Sequence, residues 1–193
     1  MTLLVLLCAA GAAVLVFRDR VSRLTGWRPR TTVKLPAGIA WSLELTNATF
    51  PGTNALGRIH GEFFTAEHAR LEGSLLSLRQ GKGWPPDLGV SISLAAQPGE
   101  EWADKTVEIG PDQPPPVPHL TLRWKNDQQQ PAKQDFGRGY VLKLAFGQPA
   151  HGHLPGKIYL SVPDETKSVV AGTFDAELRR PKPSQPKGPK TKG

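Results

Sequence analysis

Residues 156–174 read GKIYLSVPDETKSVVAGTF. Ile158, Leu160 and Val162 alternate with Tyr159 and Ser161, and Pro163-Asp164-Glu165 then breaks the pattern. Val170, Gly172, Phe174, Ala176 and Leu178 follow, with Thr173, Asp175, Glu177 and Arg179 pointing the other way. A repeat of two puts one set of side chains on each face of an extended strand. The stretch therefore reads as strand, acidic turn, strand, and it looks like the closing hairpin of a sandwich.

The same period recurs upstream. Ile39, Trp41, Leu43 and Leu45 alternate with polar or small residues, and so do Leu88, Val90, Ile92 and Leu94. Leu120, Leu122 and Trp124, then Tyr140, Leu142, Leu144 and Phe146, repeat it. Weaker strands fall at 57–64, 69–79 and 105–109. Thr65 to Leu78 has mixed spacing, but Gly73 at its middle disfavours a helix and favours a hairpin. Turn pairs separate the strands: Pro51-Gly52, Pro98-Gly99 and Pro155-Gly156. Alternation with one polar face implies antiparallel sheets that bury one side. The predicted fold class is all-β, an antiparallel β-sandwich of about nine strands over residues 36–180.

Two connections stand out. Residues 110–118 carry Pro111, Pro114, Pro115, Pro116 and Pro118, which makes an extended, stiff crossing between sheets. Residues 126–139 are polar and glutamine-rich and read as a mobile loop.

Outside the body, residues 2–17 read TLLVLLCAAGAAVLVF with no charge, and Arg18-Asp19-Arg20 ends the run. A helix of that length reaches roughly 24 Å, against a hydrocarbon core of about 30 Å. Flanking arginines that snorkel make up the difference. Residues 1–17 are thus read as a single transmembrane anchor. The rival is a cleaved signal peptide, with a small-x-small site at Ala10-Gly11-Ala12 but no positive n-region. Residues 18–35 form a basic juxtamembrane linker with Arg18, Arg20, Arg23, Arg28 and Arg30. Arginines next to a span favour the cytoplasm, which leans the body to that side.

The net charge of +7 is unevenly placed. Of 24 Lys and Arg and 17 Asp and Glu, residues 18–34 hold six positives and one acid, and residues 179–192 hold six positives. That leaves 24 − 12 = 12 cations against 17 − 1 = 16 acids in residues 35–178, a body of −4. A nucleic-acid-binding fold carries its basic patch on the domain, so nucleic acid is disfavoured. The partner implied by the first arm is the lipid bilayer, through anionic head groups or another membrane protein. Residues 181–193, PKPSQPKGPKTKG, have nothing to bury and are read as a disordered tail.

Catalytic chemistry is scarce. The single cysteine is Cys8, which excludes Cys₄ and Cys₂His₂ zinc sites. Neither a G-x-S-x-G elbow nor a phosphate-binding G-x-x-x-x-G-K-[ST] loop occurs. His151-Gly152-His153 is the one clustered histidine pair, and a zinc there needs a third ligand, for which His119 is the recruit. Among five tryptophans, Trp41 and Trp124 share the parity of core residues. Trp84 and Trp102 fall in loops, where an indole can stack on a sugar or anchor a partner. No cofactor is implied. Three readings follow: a membrane-anchored, non-enzymatic binding or scaffolding module; an extracytoplasmic glycan-binding domain using Trp84 or Trp102; and a metal-dependent hydrolase centred on His151 and His153.

Overall fold

A computed structural model describes residues 35, 37–95 and 100–179. The predicted anchor (1–17), most of the basic linker and the tail (181–193) lie outside the described residues. Among the described residues no helix is long and apolar enough to cross a membrane.

Among the described residues eleven strands form in chain order: β1 (Leu56–Ile59), β2 (Glu62–Thr65), β3 (His68–Glu72), β4 (Leu75–Gln80), β5 (Leu88–Ser93) and β6 (Thr106–Ile109), followed by β7 (His119–Lys125), β8 (Pro131–Phe136), β9 (Val141–Phe146), β10 (His153–Ser161) and β11 (Val169–Arg179). The fold is all-β, as the alternation implies. All eleven strands belong to one hydrogen-bonded sheet, ordered β6-β9-β10-β11-β3-β4-β5-β7-β8, with the β1–β2 hairpin attached to β11. The arrangement is therefore a curled open sheet, where two separate sheets were predicted. One pair is parallel, β11 with β3, against the fully antiparallel expectation.

The hairpin read at 156–174 forms as β10 and β11, paired from His153↔Glu177 to Ser161↔Val169. β11 is long enough to use two partners on its other edge. β1 pairs with Val169–Ala171 in antiparallel fashion, and β3 pairs with Ala176–Arg179 in parallel. Between them Asn54 bridges Thr173.

The curl encloses one core. Leu76, Leu78, Val90, Ile92, Leu120 and Leu122 from one arm pack with Leu142, Leu144, Ile158, Leu160 and Phe174 from the other. Each fully buried aliphatic side chain contributes about 1.5–3 kcal/mol of transfer free energy. Where the arms meet, the His60 ring stacks on Trp124 with centroids 4.0 Å apart. His60 and Gly61 have φ of 49° and 82°, the left-handed pair that a two-residue hairpin needs.

Residues 39–46 do not form the predicted strand. The segment runs irregularly, with a short 3-10 turn at Leu45–Asn47, and lies over the outer face of β9, β10 and β11. Ile39, Trp41, Leu43 and Leu45 pack there with Val141, Tyr159, Val169 and Ala171. A cover needs apolar side chains but no ladder, and alternation alone does not separate the two. Trp41 and Trp124 are half-buried; Trp41 Nε1 donates to the Val162 carbonyl at 2.8 Å.

The loop read at 126–139 contains β8, which pairs with β7. Only Ala132 and Phe136 of this edge strand are partly buried, so it has no apolar face for a sequence pattern to reveal. The 69–79 hairpin forms as β3 and β4.

Both tyrosines of the chain are buried. Tyr140 donates to the Pro118 carbonyl, and burial pushes its phenol up to about 12. Tyr159 donates to the Ala40 carbonyl at 2.8 Å, and burial raises it as well. The unfolded phenol ionises near pH 10. Stability from the protonated phenols is intact below that pH and is lost above it; for Tyr140 the loss runs from about pH 10 toward 12 and amounts to about 3 kcal/mol. An alkaline absorbance titration is expected to show no phenolate step at pH 10 in folded protein. A step near 10 before unfolding would contradict the burial.

Candidate functional site

The change of partner along β11 leaves a gap in the sheet, and a cleft of about 760 Å³ opens there. Its floor is aromatic. Phe146 and Phe174 meet edge to face with centroids 6.1 Å apart, and Phe50 stands at the rim. Short side chains make the room: Ala66, Ala69 and Ala145 line the walls beside Gly147 and Gly156. Gly156 is glycine because the Phe174 ring lies against it, and an added Cβ would overlap that ring.

The rim is polar. Lys157, Thr173 and Asp175 project outward from alternate positions of β10 and β11, and Glu67 comes from the turn between β2 and β3. Glu67 Oε2 accepts the Gly81 N–H at 2.9 Å. Asp175 Oδ2 lies 3.1 Å from His153 Nδ1. Beyond the cleft, Arg70 and Glu177 approach to 3.9 Å, and the Arg179 guanidinium holds the Glu177 carboxyl below its ordinary range. Such a surface can seat an apolar group on the rings and hydrogen-bond the remainder of a ligand at the edge.

The residues singled out from sequence scatter over the fold. Trp102 is only 8% exposed and packs in the core, 5.7 Å from Phe146. Lys105 lies over its ring and pairs with Glu100. The indole read as a ligand-stacking candidate is thus mostly buried, and it lines a small recess with Glu100 and Lys105. The acidic neighbours and loop position suggested exposure, yet the loop folds its own indole inward. Trp84 is 72% exposed at the tip between β4 and β5, and the Arg123 guanidinium sits 5.7 Å from its ring.

His151 is exposed on the turn between β9 and β10, with φ 52°, and His153 is exposed at the start of β10. His119 lies on β7 beside Asp135, at 3.6 Å, and is not brought to the pair. Among the described residues no group of three His, Cys, Asp or Glu is arranged to hold a metal. Asp135 accepts from Thr121 Oγ1 at 2.6 Å and pairs with Lys133 at 3.0 Å. These two partners hold its carboxyl down to about 2. Arg18, Arg20, Arg23, Arg28 and Arg30 lie outside the described residues.

Sequence reasoning passed over Phe146, Phe174, Lys157 and Asp175 as ordinary strand residues. Pro155-Gly156, read as a turn, lies inside β10, and a glycine inside a strand marks close approach of another group. Comparison with protein-family models, with curated proteins and with solved structures found no match.

Proposed function

We propose that this chain is a membrane-anchored binding or scaffolding module. Residues 1–17 hold it in the bilayer, the basic linker lies against anionic head groups on the cytoplasmic side, and the body presents the cleft at the split in the sheet. Architecturally we read the two arms of the curl as the facing layers of a β-sandwich. The observation that supports binding is the aromatic floor under a rim of Glu67, Lys157 and Asp175. Apolar depth with a few convergent polar groups is the usual make-up of a ligand site.

Two measurements test this reading. A reporter active on one side only, fused after Gly193, is expected to signal from the cytoplasm with Met1 retained; an external signal would move the body across the membrane. Photocrosslinking from residue 145 at the cleft wall is expected to label one ligand in membranes, and Thr173→Trp is expected to abolish labelling by filling the cleft. Labelling that survives Thr173→Trp would remove the cleft from the proposal.

A second reading is an extracytoplasmic glycan-binding domain. It draws support from the exposure of Trp84, whose indole stands clear of the fold with a cation behind it.

A further inference from the structure

The outer face of β4, β5, β7 and β8 points to solvent, with Ser93, His119 and Lys133 exposed along it. Register aligns two rows of side chains across these strands. Arg79 faces Gly89, Gly89 faces Arg123, and Arg123 faces Lys133. The next row is Ser77, Ser91, Thr121 and Asp135. At the usual strand spacing each row spans roughly 14 Å. Outward positions on β5 are Gly89, Ser91 and Ser93, so small side chains make the middle of the face a shallow trough, in which Gly89 is buried and Ser91 and Ser93 carry hydroxyls. Pro86 folds over Gly89, leaving room for a Cβ only 3.2 Å from its ring. That fold-back sets the Trp84 loop at one end of the trough.

The charge on this face is uneven. Asp87 is paired with Lys125. Asp135 takes up Lys133, Thr121 and His119. Among the described residues Arg123 has no carboxylate partner, while Arg79 lines a recess with Glu67, Asp175 and Glu177. Arg123 Nε is buried with no hydrogen-bond partner. A guanidinium without a carboxylate partner suits a carboxylate or sulfate, which it grips through the paired N–H donors that reach solvent.

We infer that the Trp84 loop and the trough beside it form a binding site for an anionic polysaccharide. The inference rests on the glycan reading of Trp84 and adds the charge of the ligand. The indole takes the C–H face of a sugar ring, Ser77 and Ser91 hydrogen-bond its hydroxyls, and Arg123 beside the indole meets the acidic group. Single-stranded nucleic acid is the less suited polyanion, because it asks for successive aromatic platforms. On this face Trp84 is the one exposed aromatic among the described residues.

The test uses the full chain in detergent on immobilised alginate, heparin and dextran, with oligo(dT) as a fourth probe. Wild type is expected to be retained on alginate or heparin, and which of them it prefers identifies the anion as carboxylate or sulfate. Trp84→Ala and Arg123→Gln are each expected to weaken retention about tenfold, a change of roughly 1.4 kcal/mol. Lys167→Gln, a loss of equal charge on a distant turn, is expected to change nothing. Ser91→Glu is expected to weaken binding by repelling the acid; thermal melts check that each variant is folded. Retention that survives both Trp84→Ala and Arg123→Gln would belong to the basic ends and overturn the inference. Equal retention on dextran, lost in Trp84→Ala, would keep the glycan reading and remove the anionic specificity. Preference for oligo(dT) through the same residues, or no retention on any matrix, would overturn both.

Discussion

Gly172→Ala is expected to leave little folded protein. Gly172 has φ +137°, a conformation that side chains rarely adopt. A Cβ there would lie 2.6 Å from the Thr53 carbonyl oxygen and 2.7 Å from Ala55 Cα and the Asn54 oxygen. All three are backbone atoms, so no rotamer change relieves the overlap. The segment cannot step aside without breaking two bonds, Ala55 N–H to the Thr173 carbonyl at 2.7 Å and Thr173 N–H to the Thr53 carbonyl at 2.8 Å. Backbone strain of about 1–3 kcal/mol adds to overpacking of about 1–3 kcal/mol. The expected loss is about 3–5 kcal/mol, a large part of the stability of a domain this size. Denaturant midpoints check it. Gly83→Ala is the control, because a Cβ at Gly83 meets nothing within 4 Å, and it is expected to stay within about 0.5 kcal/mol. A folded Gly172→Ala with an unchanged midpoint would mean that residues 53–55 do not pack against Gly172.

The second large effect is expected at Asp164→Ala. Asp164 is only 7% exposed, yet among the described residues its carboxylate has no cation. It is satisfied by three donors instead: the Ser168 N–H at 2.5 Å, the Ser168 hydroxyl at 2.7 Å and the Thr166 hydroxyl at 2.6 Å. Ser168 Oγ in turn accepts the His60 N–H at 2.9 Å, so the turn and the tip of the β1–β2 hairpin are joined through one side chain. Alanine would orphan the Ser168 donors in a site that is 1% exposed. Each orphaned buried donor costs about 1–3 kcal/mol, which gives an expected loss of about 3–4 kcal/mol. Asn keeps one acceptor oxygen and is expected to lose less. Glu165→Ala, on an exposed neighbour, is expected to lie within about 0.5 kcal/mol. Similar midpoints for Asp164→Ala and Glu165→Ala would show that the turn is held by its backbone alone.

Asp164 also marks a boundary of what the sequence reveals. Pro163-Asp164-Glu165 reads as a turn, and the turn is there, but composition does not say which of two adjacent acids is buried. The strands on either side were legible because their two faces differ: Ile158 and Leu160 face the core while Lys157 faces water. β8 was illegible because Lys133, Gln134 and Asp135 are all exposed and no face is apolar. The segment 39–46 misled in the opposite sense, since Ile39 and Leu43 bury against β9–β11 without entering the ladder. Number and order of strands depend on pairing between distant residues. Leu178 beside Leu71 is such a pairing, and nothing local in either segment encodes it. The cleft was unreadable for the same reason, being a gap between two partners of one strand. Trp84 was legible as a loop indole; that Arg123 lies behind it was not.

The double use of β11 bears on how the chain is made. β1–β2 and β3–β5 are built from neighbours in sequence and can pair as soon as they emerge from the ribosome. Their attachment cannot, because β1, β3 and β10 all wait for the strand that is translated last among the described ones. Until then the nascent body carries three open edges at once, each a template for pairing with another chain. A message cut short before Val169 would thus yield an aggregation-prone product and no smaller version of the domain.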